Sequence, residues 1–312
     1  MREVRVLIVG TTGHLEDLDR TYTYADDVSV TAVAVGSFDG GVGSLLPASP
    51  RPVWGLLDGR RIVRLDEFDL TPVASLPDAT AQSLAALPEG GLLVGLAGAR
   101  LLTVSRDGAV AEVGHLDDGA AAATAQPGSS SSRDLRSVAV SSTGIWYANV
   151  DAGGVWRSSD RGKSWRIVVP TEAAVHEVVV GDGRRVVAAA ANGFGWSQDD
   201  GDTWQWTTEG LHAAYSRAVA LDGDQAFVTV STGPETTDAR LYRCQVGSPL
   251  EQCAGGLPES FPFNLGVGSV AASAGQVALG APDGRIFRSS DGGSTFSLSA
   301  DRLRHVSVLR FT

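Results

Sequence analysis

Ser158-Ser-Asp-Arg-Gly-Lys-Ser-Trp165 is the first of three copies of one short phrase in this chain. The other two copies are Ser197-Gln-Asp-Asp-Gly-Asp-Thr-Trp204 and Ser289-Ser-Asp-Gly-Gly-Ser-Thr-Phe296. All three share the pattern Ser-x-Asp-x-Gly-x-Ser/Thr-aromatic. Their aspartates lie 39 and then 92 residues apart, and the second interval is two steps of about 46 residues. The sequence therefore predicts a structural repeat in which one intervening copy of the phrase has diverged.

The residue types of the phrase are those of a tight turn between two strands. Asp and Ser side chains hydrogen-bond to nearby backbone amides, and Gly two positions after Asp permits a positive φ. The aromatic residue then re-enters the sheet as an inward anchor. We therefore interpret the repeated positions as structural: Ser158, Asp160, Gly162, Trp165, Ser197, Asp199, Gly201, Trp204, Ser289, Asp291, Gly293 and Phe296. Calcium binding by the clustered Asp199, Asp200 and Asp202 is the weaker alternative, because no EF-hand-like loop with a terminal Glu is present.

The phrase resembles the Asp-box, also called the bacterial neuraminidase repeat. That repeat occurs in sialidases, two-propeller xyloglucanases, sortilin-like receptors and photosystem assembly factors. Residues 208–220 and 255–258 are also similar to uncharacterised cytoplasmic Asp-box proteins of bacteria and archaea, and this similarity extends from about Arg136 onward. The resemblance implies a β-propeller in which the phrase joins the third and outermost strands of a blade, opposite the ligand-binding face. It implies no particular activity, because one fold supports many functions.

Hydrophobic alternation predicts four short strands in each repeat, most clearly in residues 135–170. Five further segments show the same pattern of hydrophobic alternation: 52–76, 83–113, 176–211, 217–256 and 267–300. A seventh blade would form if the strand that begins at Val4 paired with the strand that begins at His305, which would also protect the sheet edges. We therefore predict an all-β, seven-bladed β-propeller of four-stranded antiparallel blades, closed by its terminal strands. Six or eight blades remain alternatives, because the first 50 residues fit no clear pattern.

We expect residues 1–312 to form a single domain. Residues 119–133 form a low-complexity segment of Gly, Ala and Ser, which is too small and polar to pack, so we predict a mobile loop between blades. Such a connection lies on the face where propellers bind ligands. An inert insertion is favoured over a lid.

The net charge of −11 and the pI near 4.9 argue against nucleic acid and anionic membranes as partners. The N-terminal apolar run is short and lacks a cleavage site, and no stretch is long enough to span a bilayer, so we expect a cytoplasmic monomer. Cys244 and Cys253 flank a turn and would allow a hairpin disulfide, but a reducing cytosol favours two buried thiols. No metal or cofactor pattern is present, and we expect no cofactor.

Polar residues near the starts of the inner strands, or between the second and third strands, would converge around the central channel on one face. The proposed ligand- or partner-binding residues are Arg136, Asp151, His176, Glu177, Asn192, Tyr215, Arg217, Asn264 and His305. Glu235 and Asp238 belong to the same class of position. The competing interpretation is that strand-entry loops are polar in any soluble protein.

Two functions compete. The favoured function is a non-catalytic propeller that binds a protein partner or a small ligand. The alternative is a glycoside hydrolase of sialidase type, which would need an arginine triad and a Tyr-Glu nucleophile pair. Arg136, Arg217, Tyr215 and Glu177 would supply some of these groups, but the sialidase Arg-Ile-Pro signature is missing. We therefore name no catalytic residue, and whether the chain is an enzyme stays open.

Overall fold

A computed structural model describes residues 5–9, 21–23, 30–35, 53–65, 70–76, 80–116, 133–301 and 306–311. Short strands dominate this part of the chain, and its only helical element is a single 3-10 turn at Thr171–Ala173. No helix among these residues is long and apolar enough to cross a membrane. Except for Arg133, the predicted loop 119–133 lies outside the described residues, and so does His305.

Six four-stranded sheets, each made of four consecutive strands, account for most of the described strands. Every neighbouring pair within these sheets is antiparallel. Sheet 1 contains β3 (Val30–Val35), β4 (Val53–Leu57), β5 (Arg61–Leu65) and β6 (Leu70–Ser75). Sheet 2 contains β7 (Ala81–Ala86), β8 (Leu92–Leu96), β9 (Arg100–Val104) and β10 (Val110–His115). Sheet 3 contains β11 (Leu135–Val140), β12 (Trp146–Val150), β13 (Gly154–Ser158) and β14 (Arg166–Val169).

The remaining three sheets follow the same order. Sheet 4 contains β15 (Val175–Val180), β16 (Val186–Ala190), β17 (Gly193–Ser197) and β18 (Gln205–Thr207). Sheet 5 contains β19 (Tyr215–Asp222), β20 (Gln225–Ser231), β21 (Arg240–Gln245) and β22 (Glu251–Gln252). Sheet 6 contains β23 (Val270–Ser273), β24 (Gln276–Gly280), β25 (Ile286–Ser289) and β26 (Ser297–Ala300).

The two ends of the chain meet in a three-stranded terminal sheet of order β2-β1-β27. Its strands are β1 (Arg5–Val9), β2 (Thr21–Thr23) and β27 (Val306–Phe311). β1 is antiparallel to β2 but parallel to β27, unlike the strand pairs of the six other sheets. β27 also contacts β3 and β23, the first strands of sheets 1 and 6.

The first strand of sheet 1 is an element that the sequence interpretation missed. β3 lies within the first 50 residues and pairs with β4 across residues 36–52. This connection contains Gly, Pro and Asp-Gly but is far longer than a tight hairpin turn, so the short strand-turn-strand spacing that reveals the other sheets is absent here.

The hydrophobic core lies between neighbouring sheets rather than in one central cluster. Side chains from sheets 2 and 3 form one such layer, which includes Leu93, Leu101, Leu135 and Trp146. Corresponding layers join sheets 1 and 2, 3 and 4, 4 and 5, and 5 and 6. All five residues of β4, β8, β12 and β16 are buried because both faces of these second strands are covered. This packing explains their nearly continuous apolar sequences, since no face needs polar side chains.

The repeated Ser-x-Asp phrase forms the turn between the third and fourth strands of sheets 3, 4 and 6, as expected. In sheet 4, Asp199 accepts hydrogen bonds from Thr203 N at 2.8 Å, from Thr203 Oγ1 at 2.6 Å and from Ser197 Oγ at 2.7 Å. Gly201 N donates to Ser197 Oγ at 2.8 Å. Asp200 and Gly201 both have positive φ, of 60° and 77°. The other two copies repeat this network around Asp160 and Asp291.

The aromatic residue of each phrase packs inward against the preceding sheet, as the sequence predicts. Trp165 contacts the layer between sheets 2 and 3, and Trp204 contacts the layer between sheets 3 and 4. Phe296 is buried between sheets 5 and 6. Sheet 2 holds a shortened relative of the turn, in which Ala109 N donates to Ser105 Oγ at 2.9 Å. The phrase thus stabilises both its own turn and the contact with the neighbouring sheet.

Cys244 and Cys253 are two buried free thiols, the alternative that the sequence favoured. Arg243 pairs with Glu251, and Cys253 N donates to the carbonyl of Leu241. The two cysteines are therefore three positions out of register, or about 10 Å along the strand. A disulfide requires Cα atoms closer than about 7 Å, so this register excludes the hairpin bridge.

Candidate functional site

A β-bulge near the start of the first strand recurs in several sheets. The register shifts between Ala81 and Ser83 in sheet 2, and the same shift occurs at the corresponding positions in sheets 3 and 4. In sheet 5 the shift falls between Ser216 and Val219. A bulge leaves one residue without a partner on the next strand and redirects its side chain. The residues at these bulges are Gln82, Arg136, His176 and Arg217.

All four bulge residues line one cavity of about 380 Å³. The complete lining consists of Gln82, Asp134, Arg136, Asp151, His176, Tyr215, Arg217 and Val267. These residues lie where first strands begin or where a second strand ends. Because neighbouring strands are antiparallel, the turns between third and fourth strands lie at the other end of each sheet. The cavity and the Ser-x-Asp turns therefore occupy opposite faces.

Two of the charged side chains in the cavity neutralise each other. Arg136 Nη2 lies 2.7 Å from Asp151 Oδ1, and both side chains are partly exposed. The bulge on β11 supplies the arginine, and the residue after β12 supplies the aspartate. This internal pair leaves Arg136 with little free charge to offer a ligand.

His176 is buried, and its Nδ1 lies 2.7 Å from the backbone oxygen of Ser216. Since a carbonyl oxygen only accepts hydrogen bonds, Nδ1 carries the proton. Burial lowers the pKa of His176, and the positive charges of Arg217 and Arg136 lower it further, against the opposing effects of Ser216 and Asp151. The imidazole is therefore mainly neutral at pH 7, with an unprotonated Nε2.

Tyr215 and Arg217 continue the wall of the cavity from His176. The rings of His176 and Tyr215 are tilted, with centroids 4.8 Å apart, and Arg217 Cζ lies 5.9 Å from the centre of the Tyr215 ring. Among the described residues, Arg217 has no carboxylate partner, and its buried Nε has no hydrogen-bond acceptor. A partly buried guanidinium without a counterion is a candidate site for an anionic group.

Five of the predicted binding residues thus come together in the cavity: Arg136, Asp151, His176, Tyr215 and Arg217. Glu177 does not line it. Its side chain is buried on β15 and accepts hydrogen bonds from Val219 N at 3.0 Å and Gly268 N at 3.4 Å. Asn264 also lies apart, where it accepts a hydrogen bond from Ser231 Oγ at 2.7 Å.

The other predicted positions do not join the cavity lining. Asn192 is exposed after β16, and Glu235 is exposed between β20 and β21. Asp238 is paired with Arg240, with 2.9 Å between Oδ1 and Nε. These side chains follow second strands, as Asp151 does, but they do not line the cavity.

Sequence reasoning missed Gln82, Asp134 and Val267. Gln82 has the strongest signal of the three, because it is the second residue of its first strand, like Arg136 and His176. Aligning the inner strands by position would have found it. Asp134 and Val267 lie in the segments that precede first strands, where no residue pattern distinguishes them from ordinary loop residues.

No protein-family model matches the chain, and no curated protein matches it either. Many solved structures resemble it in fold. One is a GH74 enzyme from Niastella koreensis, with a TM-score of 0.60 and 15% identity, covering 87% of this chain and 45% of that chain. This chain therefore spans less than half of the GH74 protein.

Two other neighbours are matched over most of their length. The WD40 beta propeller domain of Doa1 has a TM-score of 0.57 and 14% identity, covering 95% of this chain and 85% of that chain. YCF48 bound to D1 peptide has a TM-score of 0.55 and 14% identity, covering 86% and 81%. Identities this low indicate shared fold alone. Together with the six antiparallel sheets, they show that this all-β chain has a β-propeller fold.

Proposed function

We propose that the chain is a non-catalytic, seven-bladed Asp-box propeller that binds a protein partner or a small ligand in the cavity. One observation carries the proposal. Bulges at the same position in four successive sheets direct Gln82, Arg136, His176 and Arg217 into one concave site. The cavity volume lies within the range of small-molecule sites, about 300–1,000 Å³, and convergent polar groups can fix the orientation of a ligand.

Two features support the seven-bladed ring and the Asp-box assignment. The terminal sheet brings β1 beside β27, and β27 contacts both β3 and β23, as a closing blade would. The three Ser-x-Asp turns share one hydrogen-bond network at one position in their sheets. We also propose that the protein is a cytoplasmic monomer without nucleic-acid or membrane partners, in line with its acidic composition.

The position of Glu177 favours binding over glycoside hydrolysis. A sialidase-type mechanism needs a Glu that activates a Tyr nucleophile, and Tyr215 is the tyrosine in the cavity. Glu177 is 4% exposed and accepts two backbone N–H groups, so its carboxylate is already used within the protein. Arg136 is likewise paired with Asp151, which leaves Arg217 without the companions of an arginine triad. The structural neighbours include both an enzyme and a peptide-bound protein, so the fold itself does not choose between the two functions.

The test compares tagged wild-type protein with an Arg217→Ala, His176→Ala double variant in affinity purification from the native cytosol. Small molecules that co-purify with each protein are measured by mass spectrometry. Lys163→Ala is the matched control, because this exposed lysine lies in the Asp160 turn on the opposite face. We expect a protein or small molecule that is retained by wild type and Lys163→Ala but lost from the double variant. Equal retention by all three proteins, or no retained species, would contradict the proposal.

A further inference from the structure

Considering only the described residues, the cavity contains two unpaired charges of opposite sign. Arg217 has no carboxylate partner among the described residues. Asp134 has no cationic partner among them either, and its only side-chain hydrogen bond is a long one of 3.5 Å from Gln82 Nε2. The second carboxylate oxygen of Asp134 is buried without a hydrogen-bond partner. Arg136 and Asp151 neutralise each other, and His176 is mainly neutral.

This charge pattern restricts the ligand. A polyanion such as a phosphate ester would meet Asp134 as well as Arg217, and like charges in a partly buried site repel. A purely cationic ligand would meet Arg217 in the same way. A molecule with one negative and one positive group satisfies both unpaired side chains. A carboxylate suits Arg217, because the planar guanidinium fork donates two parallel hydrogen bonds to it.

The strand order also restricts the distance between the two charges of the ligand. Asp134 immediately precedes β11 in sheet 3, whereas Arg217 lies on β19 in sheet 5. Sheet 4 lies between them, and its β15 contacts both β11 and β19. Packed sheets are about 10 Å apart, so the backbone positions that carry the two groups are separated by more than the charges of a free α-amino acid. A peptide extends by about 3.3–3.6 Å per residue, so two to four residues suit this span.

We propose that the cavity binds a short zwitterionic peptide, with its terminal carboxylate at Arg217 and its terminal ammonium group at Asp134. Tyr215 and Val267 provide aromatic and aliphatic surface between these charges. This inference rests on the proposed binding function of the cavity and adds the chemical class of the ligand. It assigns Asp134, which the sequence did not single out, as a binding residue.

The test is a titration of the full chain with di-, tri- and tetra-alanine, followed by NMR of the arginine Nε–H groups. The Arg217 resonance is assigned as the signal lost in Arg217→Lys. Each peptide is compared with its N-acetylated form and its C-terminal amide, and free alanine tests the span. We expect the free peptides to shift the Arg217 signal, and we expect either blocking group to weaken binding by about tenfold or more. Free alanine should bind more weakly than the best peptide.

Two charge-removing variants link each charge of the ligand to its residue. Asp134→Asn should remove the preference for a free amino terminus, and Arg217→Gln should remove the preference for a free carboxylate. Lys163→Gln should change neither preference. Melting temperatures verify that each variant is folded, and Arg217→Met, which also removes the charge, replaces Arg217→Gln if the latter does not fold.

The two proposals fail in different ways. If the cavity variant loses a cellular ligand but blocked and free peptides bind equally, the zwitterion assignment is wrong and the binding function stands. If free alanine bound as tightly as the peptides, the zwitterionic-peptide assignment would also be wrong, because the ligand would not need to span the separation between Asp134 and Arg217. Absence of peptide binding overturns the assignment as well. Both proposals fail only if the affinity purification shows equal retention by all three proteins or no retained species.

Discussion

Tyr147 donates its phenolic hydroxyl to the backbone carbonyl of Asp200, across 2.9 Å. Tyr147 is fully buried on β12 of sheet 3, whereas Asp200 lies in the Ser-x-Asp turn of sheet 4. Burial raises the pKa of Tyr147 to about 12, so the hydroxyl stays protonated and keeps donating. This bond connects a buried strand of one sheet to the turn of the next.

The first prediction concerns this hydrogen bond. Tyr147→Phe removes the hydroxyl but keeps the ring, so the free energy of unfolding should fall by about 1 kcal/mol because the Asp200 carbonyl loses its donor. Denaturant unfolding followed by tryptophan fluorescence measures the change. Tyr215→Phe, at the partly exposed cavity wall, is the control and should lose less. If both variants lost the same free energy of unfolding, the hydrogen bond between Tyr147 and Asp200 would make no specific contribution to stability.

The second prediction concerns the Asp199 turn. Asp199→Ala removes acceptors for Thr203 N, Thr203 Oγ1 and Ser197 Oγ, so the free energy of unfolding should decrease by about 1 kcal/mol or more. Ligand affinity at the cavity should not change, because the turn lies on the opposite face. Asp182→Ala removes an exposed carboxylate and serves as the control in thermal unfolding and binding assays. An unchanged melting temperature combined with lost binding would contradict the structural role.

The third prediction concerns stability in acid. Hydrogen bonds from Ser164 lower the pKa of Asp160 to about 2, and those from Thr203 lower the pKa of Asp199 to about 2, from ordinary values of 3.8. A carboxyl whose pKa is lower in the folded state stabilises the fold above its ordinary pKa, and that contribution is lost as the pH falls through the folded value. Thermal stability should therefore decrease between about pH 4 and pH 2. The decrease should be shallower in an Asp160→Ala, Asp199→Ala double variant, and parallel pH profiles would refute this account.

The fourth prediction concerns the two thiols. Burial raises the pKa of Cys244 to about 11 and that of Cys253 to about 12, so little thiolate is present at pH 8. A thiol-specific disulfide reagent should react slowly with native protein and rapidly with two groups per chain after denaturation. Mild oxidation should leave the electrophoretic mobility of the non-reduced chain unchanged. If the denatured chain reacted with the reagent only after a reductant was added, Cys244 and Cys253 would form a disulfide. That result would contradict the register of β21 and β22.

The fifth prediction separates Glu177 from the cavity. Glu177→Ala leaves the buried N–H groups of Val219 and Gly268 without this acceptor. The free energy of unfolding should therefore decrease by about 2 kcal/mol or more. His176→Ala is the neighbouring control: it should reduce ligand binding in folded protein. If Glu177→Ala abolished binding without loss of stability, Glu177 would belong to the site, as the sequence suggested.

Local patterns were enough to predict much of the fold. The phrase around Asp160 contains its own hydrogen-bond partners within a few residues, so the turn could be assigned from composition and spacing. The strands of residues 135–170 could be assigned from apolar alternation for the same reason. β3 could not, because a connection of 17 residues, too long for a tight hairpin turn, separates it from its partner β4. The parallel pairing of β1 with β27 also had no local signal, since strand direction in that sheet depends on contacts between the chain ends.

The candidate site was predictable only as a set of positions. The sequence predicts Arg136, His176 and Arg217 as site residues because they lie near the starts of inner strands, and the cavity contains all three. The same reasoning predicts Glu177, one residue after His176, yet Glu177 is buried against backbone amides of sheet 5 and of the segment before β23. A bulge alters which of two adjacent residues faces the channel, and bulges depend on the register between strands.

The repeat, the all-β class and the self-contained turns follow from the residue order alone, because they rest on interactions between residues close in the sequence. The pairing state of each charge does not, because it depends on side chains that the fold brings together from distant segments. Arg136 meets Asp151 across a hairpin, whereas Arg217 meets no carboxylate among the described residues. Only the tertiary structure distinguishes these two arginines, and the proposed ligand chemistry depends on that difference.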